Sequence, residues 1–119
     1  MTGTNLLSFL ELRLDNIIYR LGFSLSRRHA RQMVLHGFFQ INGIKTDIPS
    51  YQLKVEDKIA LRDSENGLKL LKANMELTQN RVLPEWLELD QDKLTAMVAR
   101  LPQREDMDQS IHEQLIVEL

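Results

Sequence analysis

One stretch decides the fold of this 119-residue chain: Ser26-Arg-Arg-His-Ala-Arg-Gln-Met-Val-Leu-His36, then Gly37, then Phe38-Phe-Gln-Ile-Asn-Gly-Ile-Lys45. Ser24 or Ser26 can cap a helix that runs to about His36, because serine oxygens accept the unpaired amide hydrogens at a helix start. Gly37 can end that helix in a left-handed conformation. Asn42-Gly43 between two apolar runs predicts a hairpin, since both central residues of a type I′ turn need positive φ. A helix that leads into a hairpin is therefore the centre of the predicted fold.

Further elements are predicted on both sides of this centre. Apolar residues at positions i, i+3, i+4 and i+7 predict a helix from near Leu7 to Gly22. Residues 58–62 alternate as a strand does, and residues 68–80 carry apolar side chains at helical spacing. Residues 86–89 also alternate, whereas residues 92–101 fit either a helix or an extended segment. The central helix is expected to bury Ala30, Met33 and Val34.

Length and composition limit the class of protein. The 119 residues suffice for one ordinary domain, and 43% hydrophobic with 27% charged residues is the balance of a soluble globular chain. The predicted elements form an α+β fold, in which two helices pack on a small antiparallel sheet that includes the hairpin, followed by a further helix and a C-terminal segment. We expect no membrane span, since no apolar run approaches about 18 residues, and no signal peptide.

The sequence offers little support for catalysis or metal binding. It contains no cysteine, no phosphate-binding loop, no nucleophile elbow and no HExxH motif. His29 and His36 lie seven residues apart on one predicted helix without a carboxylate nearby, so a metal site is not expected. The carboxylates of residues 84–92 have no evident partner and are interpreted as a solvated acidic turn. We therefore predict no enzyme activity, no catalytic residue, no metal and no cofactor.

Charge is distributed unevenly along the chain. Residues 1–62 carry nine Lys/Arg and five Asp/Glu, whereas residues 63–119 carry six and twelve. The stretch from residue 16 to residue 46 has five basic residues and no carboxylate. At about 100° per residue, Arg27, Arg28 and Arg31 fall on one arc of the central helix. Guanidinium groups match phosphate oxygens in pairs, so this arc favours nucleic-acid binding over a merely solvated helix face.

Several motifs resemble one family. Residues 13–23 and 26–34, followed by His36-Gly37 and Ile41-Asn-Gly43, resemble the RNA-binding module of the bacterial small-subunit ribosomal protein S4 family. That module also occurs in pseudouridine synthases and tyrosyl-tRNA synthetases. The ribosomal family is singled out by further motifs, which are Asp47-Ile-Pro-Ser-Tyr51, Pro84-Glu-Trp-Leu-Glu88, Leu101-Pro-Gln-Arg-Glu-Asp106 and Glu113-Gln-Leu-Ile-Val-Glu118.

The resemblance implies which residues contact RNA. In the family, the RNA surface comprises the arginine that opens the first helix, the second helix and the hairpin. Matched position by position, and with Arg28 added on helical geometry, the expected RNA-binding residues are Arg13, Ser26, Arg27, Arg28, Arg31, Gln32, His36, Asn42 and Lys45. Asn42 also has a purely structural interpretation as turn chemistry. Asp15 is expected to orient a neighbouring arginine or to cap.

The resemblance also implies a function and a domain organisation. It implies a structural protein of the small ribosomal subunit that binds ribosomal RNA at a helical junction, nucleates assembly and contributes to translational accuracy. Expected partners are small-subunit ribosomal RNA, neighbouring ribosomal proteins and messenger RNA, on a cytoplasmic or organellar ribosome. The alternative is an accessory RNA-binding domain of an RNA-modifying enzyme or a tRNA synthetase.

The family pattern further predicts how the chain divides. Residues 9–96 are expected to form the RNA-binding module with its following helix and strand. Residues 1–8 and 97–119 are expected to be remnants of another, mostly missing, helical domain. The sequence is thus interpreted as a fragment that lacks the family's N-terminal region and its last few residues, with residues from about 98 to 119 less well supported than the module.

Overall fold

Two short helices that pack against each other form one layer of the fold. The computed structural model describes residues 9–62 and 65–102. Helix α1 spans Leu14–Arg20 and helix α2 spans Arg27–Leu35. Ser26 caps α2, since its Oγ accepts from the His29 amide at 3.0 Å. Ser24 is not the cap, because its hydroxyl donates instead to the Ser26 carbonyl. Gly37 follows α2 with φ +78°, which confirms the predicted helix end.

Helix α1 starts later than the sequence predicts. Residues 9–11 are helical, but the chain is extended at Arg13, which forms a bridge with Gln52. The Leu14 amide donates to the Tyr51 carbonyl, and the Leu53 amide donates to the Leu12 carbonyl, both at 2.9 Å. These long-range bonds compete with helical pairing and break the predicted continuous helix. Its first predicted residues, 7 and 8, lie outside the described residues.

A five-stranded antiparallel sheet forms the second layer, with strand order β2-β1-β3-β5-β4. The strands are β1 Phe39–Ile41, β2 Ile44–Lys45, β3 Lys58–Leu61, β4 Leu87–Asp90 and β5 Thr95–Val98. Asn42 and Gly43 have φ of 52° and 83°, so the β1–β2 hairpin closes with the predicted positive-φ turn. The segment 92–101, for which the sequence allowed a helix or an extended chain, contains the strand β5. This strand pairs with both β3 and β4.

Helix α3 spans Glu65–Leu77 and ends earlier than the predicted residue 80. A turn follows, in which the Arg81 amide donates to the Thr78 carbonyl. The Thr78 hydroxyl donates to the Gly22 carbonyl at 2.9 Å, so the chain leaves the helix to bind the loop that joins α1 to α2. Leu71 is buried as expected, whereas Leu68 is 38% exposed.

The core lies between the helices and the sheet. Ala30, Met33 and Val34 are buried, as the sequence predicts for α2. Phe23 from the α1–α2 loop and Phe39 from β1 are fully buried, with parallel rings whose centroids lie 6.1 Å apart. Burying a side chain of this size stabilises a fold by about 1.5–3 kcal/mol. The core therefore holds α2 in a fixed orientation against the hairpin.

Some expectations fall outside the described residues. The motif Ser110-Ile-His-Glu113 has the form of a capping box, and it lies beyond residue 102, as does most of the segment predicted to be less well supported. The division of the chain at residue 96 stays a prediction. Within residues 9–62 and 65–102, no helix combines the length and the hydrophobicity that a membrane crossing would need.

Candidate nucleic-acid interface

Helix α2 presents a polar face on the side opposite its buried residues. Arg28, Arg31, Gln32 and His36 are all exposed. Because α2 repeats every 3.6 residues, burial of Ala30, Met33 and Val34 directs these side chains outward. Within residues 9–62 and 65–102, neither Arg28 nor Arg31 lies within 4.0 Å of a carboxylate. Their charges are therefore available to an external anion.

Arg27 behaves differently from the other two arginines of the predicted arc. Its Nε donates to Asn16 Oδ1 at 3.1 Å, and its guanidinium carbon lies 4.5 Å from the centroid of the Tyr19 ring. Partial burial, with the nearby Arg20 charge, lowers the pKa of Arg27 from its usual value, although arginine remains protonated at any physiological pH. Arg27 is exposed, as Arg28 and Arg31 are, but its guanidinium also joins α2 to α1 through Asn16 and Tyr19.

The arginine at the start of α1 is held by a neighbouring carboxylate. Arg13 Nε and Nη2 donate to the two carboxylate oxygens of Asp15 at 3.2 and 3.1 Å. Asp15 Oδ1 also accepts from the Asn16 amide at 2.7 Å. Asp15 therefore orients an arginine, as the sequence predicts. The pair leaves 33% of the Arg13 side chain exposed, so Arg13 presents a partly compensated charge.

Two further predicted contact residues have structural roles. The Ser26 hydroxyl accepts the His29 amide and caps α2. Asn42 Nδ2 donates to Asp57 Oδ1 at 3.0 Å, and Asn42 Oδ1 accepts from the Lys58 amide at 2.9 Å. The side-chain amide of Asn42 thus links the hairpin turn to the start of β3, which supports the turn interpretation of this residue.

The hairpin contributes a cation and one half-buried ring. Lys45 lies in β2 and is exposed. Phe39 is buried against Phe23, whereas Phe38 is half-buried and meets the His36 ring edge to face at 6.2 Å. Neighbouring residues of an extended chain point to opposite faces, so only one of these two rings can turn outward.

Sequence reasoning missed the residue that holds the start of α2. Arg81 Nη1 donates to the carbonyls of Tyr19 and Ser24 at 2.9 and 2.8 Å, and Nη2 donates to the Leu25 carbonyl at 2.9 Å. Its guanidinium carbon also lies 4.3 Å from the centroid of the Tyr19 ring. Since these partners are 56 to 62 residues away in sequence, no local pattern could identify this contact.

Asn74 of helix α3 and Thr78, which follows that helix, add two more bonds to the same loop. Asn74 Nδ2 donates to the Phe23 carbonyl at 3.0 Å, in a buried position, and the Thr78 hydroxyl donates to the Gly22 carbonyl. We call the three side chains that bind this loop, Asn74, Thr78 and Arg81, the loop clamp. The loop clamp connects the acidic half of the chain to the basic helix without neutralising its outward arginines.

Comparison with known protein families matches residues 12–59 to the S4 domain. The match covers both helices of the basic layer, the hairpin and the start of β3, which are the elements described above. The chain therefore contains a segment that is similar to the S4 domain.

Individual relatives match over a longer range. The chain is 49% identical over 119 residues to the small ribosomal subunit protein uS4 of Acetivibrio thermocellus, 50% identical to that of Trichlorobacter lovleyi and 51% identical to that of Oleidesulfovibrio alaskensis. Each alignment covers 100% of this chain and 57% of the relative, so the chain spans a little over half the length of these relatives. The resemblance found from the motifs is confirmed.

Proposed function

We propose that this chain acts as a structural component of the small ribosomal subunit that binds small-subunit ribosomal RNA at a helical junction. The relatives that match the whole chain are named small ribosomal subunit protein uS4, and the S4 domain lies within residues 12–59. The observation that carries the proposal is the outward face of α2, where Arg28 and Arg31 are exposed and have no carboxylate partner in the described part of the chain.

The physical basis is phosphate binding by a prearranged helix. Each guanidinium offers a planar fork of donors that fits two phosphate oxygens. Contacts of this kind position a protein on RNA without reading its sequence, and recognition of a junction by shape is typical of RNA. Because the core and the loop clamp hold α2, the backbone that carries its arginines needs little reordering when they bind. Little of the binding free energy is then spent on ordering the helix.

The predicted contact residues divide into two groups under this proposal. Arg28, Arg31, Gln32, His36 and Lys45 touch RNA directly, and Arg13 does so with its charge partly offset by Asp15. The other group supports the binding surface through hydrogen bonds to the protein itself, and it consists of Ser26, Arg27 and Asn42.

The wider role follows from the same proposal. Binding at a junction nucleates small-subunit assembly and contributes to translational accuracy, with neighbouring ribosomal proteins and messenger RNA as further partners on a cytoplasmic or organellar ribosome. The chain is non-enzymatic in this role. Residues 9–96 serve as the RNA-binding module with its following helix and strand. An accessory domain of a modifying enzyme is not favoured, because similarity to the ribosomal relatives continues over all 119 residues.

A titration with RNA tests the proposal. We expect the 119-residue chain to bind a transcript of the bacterial small-subunit ribosomal RNA 5′ domain. The double variant Arg28→Ala/Arg31→Ala should flatten the plot of log K against log salt by about 0.7–0.9 for each phosphate that the variant no longer binds. Lys72→Ala is the matched control, because Lys72 is an exposed lysine of α3 and is not among the predicted RNA-binding residues.

A stability measurement distinguishes the loss of RNA contacts from unfolding of the double variant. Both arginines are exposed, so the double variant should unfold within about 0.5 kcal/mol of the parent in urea. An unchanged affinity and salt slope in the double variant would contradict the assignment of this face to RNA.

A further inference from the structure

A second pair of cations lies at the opposite end of α2 from Arg28. Gly37 has no side chain, and a β carbon built on it would lie 3.5 Å from Lys45 Nζ and 3.6 Å from Arg62 Nη1. Since both groups lie within 3.6 Å of one point, they are no more than about 7 Å apart. We call Gly37, Lys45 and Arg62 the glycine notch. Arg62 lies outside the S4 match at residues 12–59 and was not among the predicted contact residues.

The backbone places these two cations on both sides of β1. Lys45 sits opposite Gln40 in the β1–β2 pair. The Arg62 amide donates to the Phe38 carbonyl at 2.8 Å, one residue beyond the last pair of β1 with β3. Both side chains therefore leave from strands that flank β1 and reach toward its first residues, where Gly37 leaves room. The Lys45 Cε lies 3.0 Å from the built β carbon, so a larger residue at position 37 would crowd it.

The glycine notch carries charge that the described residues leave uncompensated. Within residues 9–62 and 65–102, neither Lys45 nor Arg62 lies within 4.0 Å of a carboxylate. The Arg62 guanidinium donates from Nη1 to the Gly37 carbonyl at 3.3 Å. That bond uses one of five guanidinium donors. Two exposed cations this close repel each other unless an anion lies between them.

We propose that the glycine notch binds one backbone phosphate of the RNA, shared by Lys45 and Arg62. The inference rests on the function proposed above and extends the RNA surface beyond the matched domain to Arg62. Arginine supplies a planar fork and lysine supplies a compact point charge, and together they can bind different oxygens of a single phosphate. From Arg28 to Gly37 the helix rises about 13 Å, so the notch reaches a different phosphate from the arginines at the helix start.

The alternative role for these cations is structural. Cations near a helix C-terminus interact favourably with its carbonyl groups, and the Arg62 bond to Gly37 fits that role. A structural role predicts lower stability and an unchanged salt slope in a variant that lacks both Lys45 and Arg62. A phosphate contact predicts unchanged stability and a flatter salt slope, so the two measurements distinguish the two roles.

The test compares Arg62→Ala, Lys45→Ala and the double variant, in the 119-residue chain, on the 5′ domain transcript. Each single variant should weaken binding about fivefold and keep most of the salt slope, because the remaining cation still neutralises the phosphate. The double variant should flatten the slope by about 0.7–0.9, which corresponds to one phosphate. Arg62→Lys should keep the slope, and Lys72→Ala should match the parent.

Two results would overturn the shared site. An unflattened slope in the double variant, with a lowered urea midpoint, would assign the cations to helix stabilisation. Flattening by twice the expected amount would mean that two separate phosphates are bound. The function proposed above is tested separately by the Arg28→Ala/Arg31→Ala pair. If that pair weakens binding and the notch variants do not, this inference alone fails.

Discussion

Replacing Arg81 by alanine is expected to destabilise the fold while leaving the outward arginines in place. The guanidinium donates three hydrogen bonds, to the carbonyls of Tyr19, Ser24 and Leu25, and lies over the Tyr19 ring. Ser24 is fully buried, so water cannot easily reach its carbonyl to replace the lost donor. The charge-assisted bonds and the cation–π contact, discounted for the partial exposure of Arg81, amount to about 2–3 kcal/mol.

Urea unfolding followed by circular dichroism measures this destabilisation. Arg28→Ala is the matched control, since it removes the same charge from an exposed side chain and should change the free energy of unfolding by less than about 0.5 kcal/mol. Arg81→Lys keeps the charge but cannot reach all three carbonyls with a fork, so it should recover at most about half of the stability that alanine removes.

RNA binding gives the complementary measurement. At a temperature where both variants are folded, Arg28→Ala should lower RNA affinity and flatten the salt slope, whereas Arg81→Ala should keep the slope. If Arg81→Ala unfolded at the same urea concentration as Arg28→Ala, the loop clamp would not be a stabilising feature, and the reasoning would be refuted.

Two further substitutions test the interpretation of single residues. Ser26→Ala removes the cap of α2 and should cost about 1 kcal/mol in urea unfolding with an unchanged salt slope; a flattened slope would instead identify Ser26 as a direct phosphate ligand. Gly43→Ala places a β carbon in open space but keeps φ at 83°, so thermal unfolding should report a destabilisation of about 1 kcal/mol from the backbone alone, and an unchanged midpoint would contradict the strained-turn interpretation.

Local patterns predicted the parts of this protein in which neighbouring residues decide the structure. The apolar spacing of α2, its serine cap and its terminal glycine all act within a few residues of each other, and the structure has each of them as expected. The Asn42-Gly43 turn is similar, because positive φ at two consecutive residues is a local requirement. The basic arc was also found from helical periodicity, although the periodicity could not say that Arg27 would turn toward Tyr19.

Tertiary contacts decided the rest, because their partners lie far apart in the chain. Arg13 leaves the helix in favour of a bridge to Gln52, and residues 95–98 become a strand because β3 and β4 lie on either side of them. In the glycine notch, Arg62 binds a carbonyl 25 positions away, and in the loop clamp, Arg81 binds one 62 positions away. The sequence by itself thus determined a basic helix followed by a hairpin. Only the folded chain decided which of its cations bind the protein's own carbonyls and which face outward.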